Sequence, residues 1–383
     1  MNCPICEDER FESVWTHGSG IANGICLNCG HVYLTGFSSS EAISKYADFA
    51  QSYDDDFLLN PSTPLFTLAR TRKEVLRQWK PDLSAVVEIG SGYGHFLHIL
   101  GHGVDRIGLE PSTAGVRFAQ QQFGLDAIKA GSLERVGCDW PGRKVDAICS
   151  FHVLEHLQNP YTFLEFVRTR LADSGVLMLA VPELGTLNPD LIELYFLFRA
   201  WHIHTFSKNS IYRLLARSGF EVMQVINEPV NTMLRSSILI IARPRDGQDI
   251  VEPPPNVDAA RQALHCFHTR LDTGLEALRQ RIDAWHTSGM RVAIYGGGMH
   301  TRALFELAGL KLSAITCVID DDPAKAGDEI LGIPIKSFAD TIAAAPDVIL
   351  ISTLASEDAL LERLPNNLPS GIQLFGIYRH FFE

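Results

Sequence analysis

Positive charge is scarce in this chain of 383 residues, which has 33 lysines and arginines against 45 aspartates and glutamates. The formal net charge of −12 argues against nucleic acid as the main partner, because phosphate binding needs a basic surface. Long apolar runs are also missing, and none approaches the ~20 residues that span a membrane. The first ten residues, MNCPICEDER, lack the apolar core of a signal peptide. We therefore expect a cytoplasmic protein that binds neither nucleic acid nor membranes.

Cysteine occurs eight times, although disulfides are rare in cytoplasmic proteins. Four of the eight form two C-x2-C pairs, Cys3 with Cys6 and Cys26 with Cys29, separated by nineteen residues. Two such pairs bring four thiolates into a tetrahedron, the usual ligand set of structural Zn²⁺. We expect a zinc-binding domain over residues 1–50 whose folding depends on the metal, because so short a segment buries little core. The alternative is four free buried thiols.

The rest of the chain alternates strands with helices. Short β-branched runs separated by amphipathic stretches predict parallel βαβ units in a doubly wound α/β sheet. The predicted strands of the central segment are 85–90, 105–110, 145–150, 175–182, 220–226 and 237–243. A proline-rich, acidic linker follows at 243–256, then a long amphipathic helix, and then a second strand series at 291–300, 314–322 and 347–353. We therefore expect two further domains, over residues 55–245 and 257–383.

The first strand of the central segment runs into a glycine loop, VVEIGSGYGHFL. Its glycines, Gly90, Gly92 and Gly94, permit a sharp turn and the close approach of a ligand. Glu88 lies inside the strand, and Glu110 ends the next strand, where a carboxylate can accept both hydroxyls of a ribose. The G-x-G-x-G pattern is weak evidence by itself, and an NAD-binding fold more often has G-x-G-x-x-G.

Together with CSFHVLEHLQNP at 149–160, these motifs resemble the class I S-adenosylmethionine-dependent methyltransferases. The resemblance implies a Rossmann-like sheet that ends in an antiparallel hairpin, with S-adenosylmethionine as the cofactor. It places Glu88 near the amino group of the methionine moiety, the three glycines around its chain, and Glu110 at the ribose. Gly131, Ser132 and Leu133 would border the adenine, and Phe151 is a further expected cofactor contact.

The order of the segments extends the resemblance to the whole chain. A four-cysteine domain, a domain with the motifs IGSGYG, GLEPS and VLEHL, and a Rossmann-like domain after a long helix look like the sugar C-methyltransferase family. Members of that family methylate a ring carbon of nucleotide-linked deoxysugars. The resemblance therefore implies a small-molecule substrate, and it implies a base that removes a carbon-bound proton to give an enolate.

The resemblance also suggests which residue acts as the base. The family places a histidine in a tyrosine-x-glutamate-histidine motif that precedes Phe-Ser. Aligned on Phe206-Ser207, His202 takes the position of the base, whereas Trp201 and Arg199 replace the usual glutamate and tyrosine. His202 is thus a candidate base, with packing as its alternative role. Because the usual glutamate and tyrosine are absent, O- or N-methylation of another small molecule is an alternative.

Other residues would have to assist His202. Glu155 and His156 are catalytic candidates, because they are expected to open a helix after the third strand, close to the sulfonium of the cofactor. Tyr53 is a further catalytic candidate, and Tyr46 is a candidate substrate contact. A metal site at His202 and His204 is not expected, because no neighbouring cluster has the spacing to supply a third ligand.

A second glycine loop, IYGGGMHTRALFE, precedes an acidic strand end in VIDDDPAKAG. The helix that follows Gly296 and Gly298 would receive a pyrophosphate at its N-terminus, and Asp320 is spaced to bind a ribose. A dinucleotide site would make this domain an oxidoreductase, and a non-catalytic protein of two Rossmann units is another alternative. The resemblance instead assigns the loop, with His300, to the nucleotide of the substrate.

Overall fold

The computed structural model of the chain describes residues 2–16, 22–36, 55–131, 143–184, 202–228, 237–245, 251–353 and 356–382. These residues divide into two compact units, one extending up to Ala263 and one starting at Leu264. Within the described ranges, no helix is both long and apolar enough to cross a membrane. The bounds of the three predicted domains stay predictions.

A small antiparallel sheet carries the cysteine pairs. Its strands are β1 (Phe11–Thr16), β2 (Ala22–Cys26), β3 (Val32–Thr35) and the short β9 (His204–Thr205), in the order β1-β2-β3-β9. The last pair aligns Val32 with Thr205 and Tyr33 with His204. The segment after His202 therefore completes a sheet whose other strands lie near the start of the sequence.

A seven-stranded sheet forms the centre of the first unit, in the order β10-β11-β8-β7-β4-β5-β6. The strands are β4 (Ala85–Ile89), β5 (Asp105–Glu110), β6 (Ile128–Ala130), β7 (Val145–Phe151), β8 (Leu171–Pro182), β10 (Phe220–Asn227) and β11 (Ser237–Pro244). The strands from β8 to β6 are parallel, and β10 and β11 add an antiparallel hairpin. All six predicted strands and the expected hairpin are confirmed. The central β4 is buried along its whole length, as a strand covered on both faces must be.

Side-chain caps set several helix starts in this unit. The Ser112 hydroxyl accepts a hydrogen bond from the Gly115 amide, and Asn159 caps a helix with Pro160 at its first position. The helices are Asp55–Leu59, Pro64–Trp79, His95–Leu100, Thr113–Phe123, Pro160–Arg170 and Lys208–Arg217. The helix predicted to begin at Glu155 is wrong, since Leu154–His156 form a single 3₁₀ turn and the helix starts only at Pro160.

The second unit is built on a six-stranded sheet in the order β14-β15-β13-β12-β16-β17. Its strands are β12 (Val292–Tyr295), β13 (Ile315–Ile319), β14 (Glu329–Ile330), β15 (Ile333–Lys336), β16 (Val348–Ile351) and β17 (Gln373–Gly376). All neighbours are parallel except β14 and β15. The predicted long helix is confirmed over Val257–Thr287, and further helices span Met299–Ala308, Phe338–Ala343, Glu357–Arg363 and Ile377–Phe381. That this unit is Rossmann-like stays a prediction.

Candidate active site

The four paired cysteines converge beside the small antiparallel sheet. The Sγ atoms of Cys3 and Cys29 lie 3.6 Å apart, those of Cys6 and Cys26 lie 3.4 Å apart, and all four lie within 4.8 Å of one another. A tetrahedral zinc ion with bonds of about 2.3 Å would separate its sulfur ligands by about 3.8 Å. The arrangement therefore fits a closed structural zinc site.

Backbone geometry makes glycine necessary at the first position of the central loop. Gly90 follows β4 with a φ of 75°, and a Cβ on it would lie 2.2 Å from Cγ2 of Val153. Gly92 also has a positive φ, and its amide donates a hydrogen bond of 2.7 Å to Oε2 of Glu110. The loop thus lies directly between the carboxyl ends of β4 and β5, where parallel sheets bind ligands.

Glu88 provides an unpaired carboxyl group at this edge. Its side chain is buried in β4, and no described residue forms a hydrogen bond with its Oε2. Burial raises the pKa of Glu88 well above its usual range, although Arg72 partly opposes the shift. A buried carboxyl group without a partner is costly, so this position favours a cationic ligand such as an ammonium group.

Glu110 is fully buried, and its carboxylate already accepts hydrogen bonds from two backbone amides. Its Oε2 accepts from Gly92, and its Oε1 accepts from Ser112 at 2.8 Å. Burial raises its pKa, while these two hydrogen bonds lower it. Each carboxylate oxygen keeps a second acceptor site, so Glu110 is oriented for hydroxyl donors from a ligand. Phe151 packs nearby at the end of β7, edge-on to Phe96 at 5.0 Å.

A second group of polar side chains follows β7. Glu155 is 1% exposed, and His156 Nε2 lies 3.9 Å from its Oε1. The rings of His156 and His202 are 4.8 Å apart, and one ligand atom from each of the three residues lies within 4.8 Å of the others. Burial would raise the pKa of Glu155, but the adjacent His152 and His156 lower it below its usual value. We call these residues, Glu155, His156 and His202, the EHH cluster.

The second glycine loop repeats one contact of the first, a hydrogen bond from a loop amide to a carboxylate at the end of the next strand. The Gly297 amide donates a hydrogen bond of 2.8 Å to Oδ2 of Asp320, which also lies 3.1 Å from Nζ of Lys325. A cavity of about 440 Å³ opens beside it, lined by Tyr295, Gly296, Asp320, Asp321, Thr353, Ser356, Ala359, Leu360 and Arg363. Gly298 and His300 are not among these lining residues. His300 instead forms hydrogen bonds with Ser352 at 2.8 Å and Tyr378 at 2.5 Å.

Residues 65–225, which include the first glycine loop and all three residues of the EHH cluster, match the family model of a methyltransferase domain. The chain is an S-adenosylmethionine-dependent methyltransferase. A second model, described as a C-methyltransferase C-terminal domain, matches residues 258–375 of this methyltransferase. The central sheet and its terminal hairpin form the class I, Rossmann-like fold of such enzymes.

Solved structures resemble the methyltransferase in part. The N-methyltransferase NodS from Bradyrhizobium japonicum WM9 is 16% identical, over 54% of this chain and 100% of its own, with a TM-score of 0.41. The 1,6-didemethyltoxoflavin-N1-methyltransferase from Burkholderia thailandensis is 15% identical, over 58% and 98%, with a TM-score of 0.43. Magnesium protoporphyrin IX methyltransferase from Synechocystis PCC 6803 is 14% identical, over 53% and 97%, with a TM-score of 0.40. No curated protein matches the chain.

One expectation about the histidines needs correction. A third ligand-type side chain near His202 was not expected, yet the fold brings Glu155 and His156 to it. His204 is 1% exposed and shares a 3.0 Å hydrogen bond with His31, and its Nε2 donates to the Leu157 carbonyl at 2.8 Å. Burial lowers the pKa of His204 to about 4, so it is neutral at physiological pH. The contacts of its two ring nitrogens fasten β9 within the fold.

A buried network behind the EHH cluster was missed by the sequence reasoning. The Arg72 guanidinium donates to both carboxylate oxygens of Glu228 at 2.8 and 2.9 Å. The Ser237 hydroxyl donates to the same carboxylate at 2.8 Å, and His152 lies between it and Glu155, with Nδ1 3.4 Å from Oε1. The φ of 57° at His152 is uncommon for a non-glycine residue and marks a constrained turn. Of the residues in this network, only His152 and Glu155 stand in a sequence motif, FHVLEH.

Some predicted site residues lie outside the described ranges. These are Ser132 and Leu133 of the adenine border, Tyr46 and Tyr53, and the Arg199 and Trp201 that flank His202. Their roles stay predictions.

Proposed function

We propose that this methyltransferase transfers a methyl group to a carbon atom next to a carbonyl group in a nucleotide-linked sugar. The observation that supports the proposal is the EHH cluster, whose side chains could accept a proton and which adjoins the first glycine loop. Glu155 and His156 follow Val153, whose side chain lies against Gly90. The match of residues 258–375 to a C-methyltransferase C-terminal domain supports carbon as the acceptor atom.

The glycine loop would hold the cofactor. Glu88 would pair with the ammonium group of the methionine moiety, Gly90, Gly92 and Gly94 would follow its chain, and Glu110 would accept the ribose hydroxyls. Ser132, Leu133 and Phe151 would enclose the adenine side. S-adenosylmethionine supplies an activated methyl group, so the remaining tasks of the protein are orientation and proton removal.

His202 would accept the carbon-bound proton at a ring nitrogen. The charge that develops on its imidazole would be stabilised by Glu155, a buried carboxylate in the same cluster. His156 lies close to both of these side chains and would fix the ring of His202. Glu155 and His156 would thus replace the glutamate and tyrosine that the sequence lacks beside His202.

The four cysteines would hold a structural zinc ion that maintains the small sheet. Because β9 belongs to that sheet, the metal would also support the segment that follows His202. Loss of the metal should therefore lower turnover as well as stability.

The nucleotide of the substrate would bind at the second glycine loop. Gly296 and Asp320 line its cavity, and Arg363 supplies a cation for a phosphate. Gly298 and His300 would shape the loop, since His300 is engaged with Ser352 and Tyr378. Tyr46 and Tyr53 are proposed to contact the sugar.

The test is His202→Asn, assayed with S-adenosylmethionine and a panel of nucleoside-diphosphate ketosugars. We expect turnover to fall by about 10²–10⁴-fold with unchanged cofactor affinity in calorimetry. Exchange of the acceptor C–H for deuterium in heavy water should be lost in parallel. His265→Asn, on the exposed face of the long helix, is the matched control. Full turnover of the His202 variant would return this histidine to a packing role, and an O- or N-methylated product would overturn carbon as the acceptor.

A further inference from the structure

The EHH cluster has the composition of a metal site as well as that of a base. It offers one carboxylate and two imidazoles, with one ligand atom from each within 4.8 Å of the other two. Two imidazoles and a carboxylate bind divalent first-row transition metals and leave coordination positions open. The four-cysteine site differs in chemistry, since it offers four thiolates and no open position.

A second observation independently points to a cation. Glu155 is 1% exposed, and neither of its carboxylate oxygens receives a hydrogen bond from any described residue. Nδ1 of His152 lies 3.4 Å from Oε1, which is longer than a normal charge-assisted hydrogen bond. Buried carboxylates are normally paired, hydrogen-bonded or bound to metal. Glu155 is therefore a buried carboxyl group that is surrounded by imidazoles and receives no hydrogen bond from a described residue.

The segments that carry the three side chains are fastened to each other. Glu155 and His156 belong to the 3₁₀ turn after β7, and one residue separates His202 from the start of β9. His204 Nε2 donates to the Leu157 carbonyl at 2.8 Å, which ties β9 to the end of that turn. The backbone thus holds the ligands close, and side-chain rotations would bring the 3.9 Å separation of His156 and Glu155 to the separation found around a metal.

We propose that Glu155, His156 and His202 form a second metal site, for one divalent first-row transition-metal ion, and that this ion and the base role of His202 exclude each other. A neutral imidazole has one nitrogen lone pair, and the other nitrogen carries a proton. When a metal takes that lone pair, His202 has nothing left with which to accept the substrate proton. The exclusion rests on the proposed function, whereas the metal site itself does not.

The site is tested by titrating Co²⁺ into the zinc-loaded full chain. We expect one equivalent to bind with d–d absorption bands and without the sulfur-to-cobalt charge-transfer bands that exchange into the cysteine site would produce. Glu155→Gln, which keeps the shape of the side chain and removes its charge, should weaken Co²⁺ binding at least about tenfold. His265→Asn should bind Co²⁺ as the unchanged protein does.

The exclusion is tested on turnover in the same titration. We expect Co²⁺ to inhibit methyl transfer with the concentration dependence of its binding, and a chelator to restore the rate. Absence of Co²⁺ binding, or undiminished binding by Glu155→Gln, would overturn the metal site. Binding that raises turnover would overturn the exclusion. Failure of the proposed function looks different, because His202→Asn would then keep full turnover whether or not Co²⁺ binds to the unchanged protein.

Discussion

The two glycine loops of the molecule use the same backbone device in different surroundings. In each, a loop amide donates to a carboxylate at the end of the next strand: Gly92 to Glu110 at 2.7 Å, and Gly297 to Asp320 at 2.8 Å. The first carboxylate is fully buried, and Glu88 adds an unpaired acid beside it. Asp320 instead has the Lys325 ammonium at 3.1 Å and lines an open cavity.

From this difference we expect that the neighbours of a glycine loop, more than its glycines, set the charge of the ligand that it selects. An unpaired buried acid selects a ligand with a positive group, as the methionine moiety of the cofactor has. The second loop offers cations as well as acids, since Lys325 lies 3.1 Å from Asp320 and Arg363 lies 3.4 Å from Asp321 at the cavity wall, and we expect it to select a ligand of different charge. Four substitutions test the contrast, with Asp320→Asn as the matched control for one of them.

The largest effect is expected from Gly90→Ala. The new Cβ would lie 2.2 Å from Val153 Cγ2, and alanine would also have to adopt a φ of 75°. Overpacking and left-handed strain together should cost about 2–5 kcal/mol of unfolding free energy, measured by urea denaturation. Cofactor binding should fall below detection in calorimetry. A stable variant that binds the cofactor normally would show that the loop is not the cofactor site.

Glu110→Gln should have the next largest effect. The amide that replaces the carboxylate brings a donor group, so either Gly92 or Ser112 loses its acceptor at a cost of about 1–3 kcal/mol. Cofactor affinity should fall at least about tenfold. Asp320→Asn makes the matching change in the other loop and should leave cofactor affinity unchanged. Equal losses in both variants would contradict the division between the loops.

The pKa of Glu88 makes cofactor binding dependent on pH. Burial raises this pKa well above its usual range in the free protein, so the carboxyl group holds a proton below that value. A bound ammonium group would favour the carboxylate, so binding should release a proton, and affinity should rise with pH up to about tenfold per unit until the free-state pKa is passed. Calorimetry in two buffers of different ionisation enthalpy measures this release. Glu88→Gln should bind more weakly and release no proton, and an undiminished release would exclude Glu88 as its source.

Gly298→Ala should have the smallest effect of the four. Gly298 has a φ of −102°, and no atom lies within 4 Å of the place its Cβ would occupy. We expect unfolding free energy to change by no more than about 0.5 kcal/mol. A loss comparable to that of Gly90→Ala would mean that the two loops are equally constrained, and the contrast would fail.

Local patterns predicted most of the sheet. The strands of the central segment were predictable because buried parallel strands are continuous β-branched runs, as in AVVEI. Glycine spacing gave the cofactor loop, and C-x2-C spacing gave the cysteine site. The helix predicted at Glu155 failed because Asn159 and Pro160 provide the actual start signal a few residues later.

Contacts between residues far apart in the sequence could not be predicted from such patterns. Arg72 and Glu228 are 156 residues apart, and neither stands in a motif. His202 and Glu155 come together only because β9 and the turn after β7 meet in the folded chain. A sequence read window by window contains no signal for either encounter. The Arg72–Glu228 pair and the approach of His202 to Glu155 were therefore found only in the structure.

The pairing of β3 with β9 has a consequence for how the chain acquires its structure. His31 and His204 share a hydrogen bond across a sequence separation of 173 residues, and β9 forms the edge of a sheet whose other strands are made early on the ribosome. That edge has to stay open until the whole parallel core has been synthesised. Contacts of such sequence separation form slowly, because the loop they close must lose its entropy first. The small sheet that carries the cysteine pairs is therefore begun first but completed only after Thr205 has been made, so removing its first three strands would expose β9 beside His202.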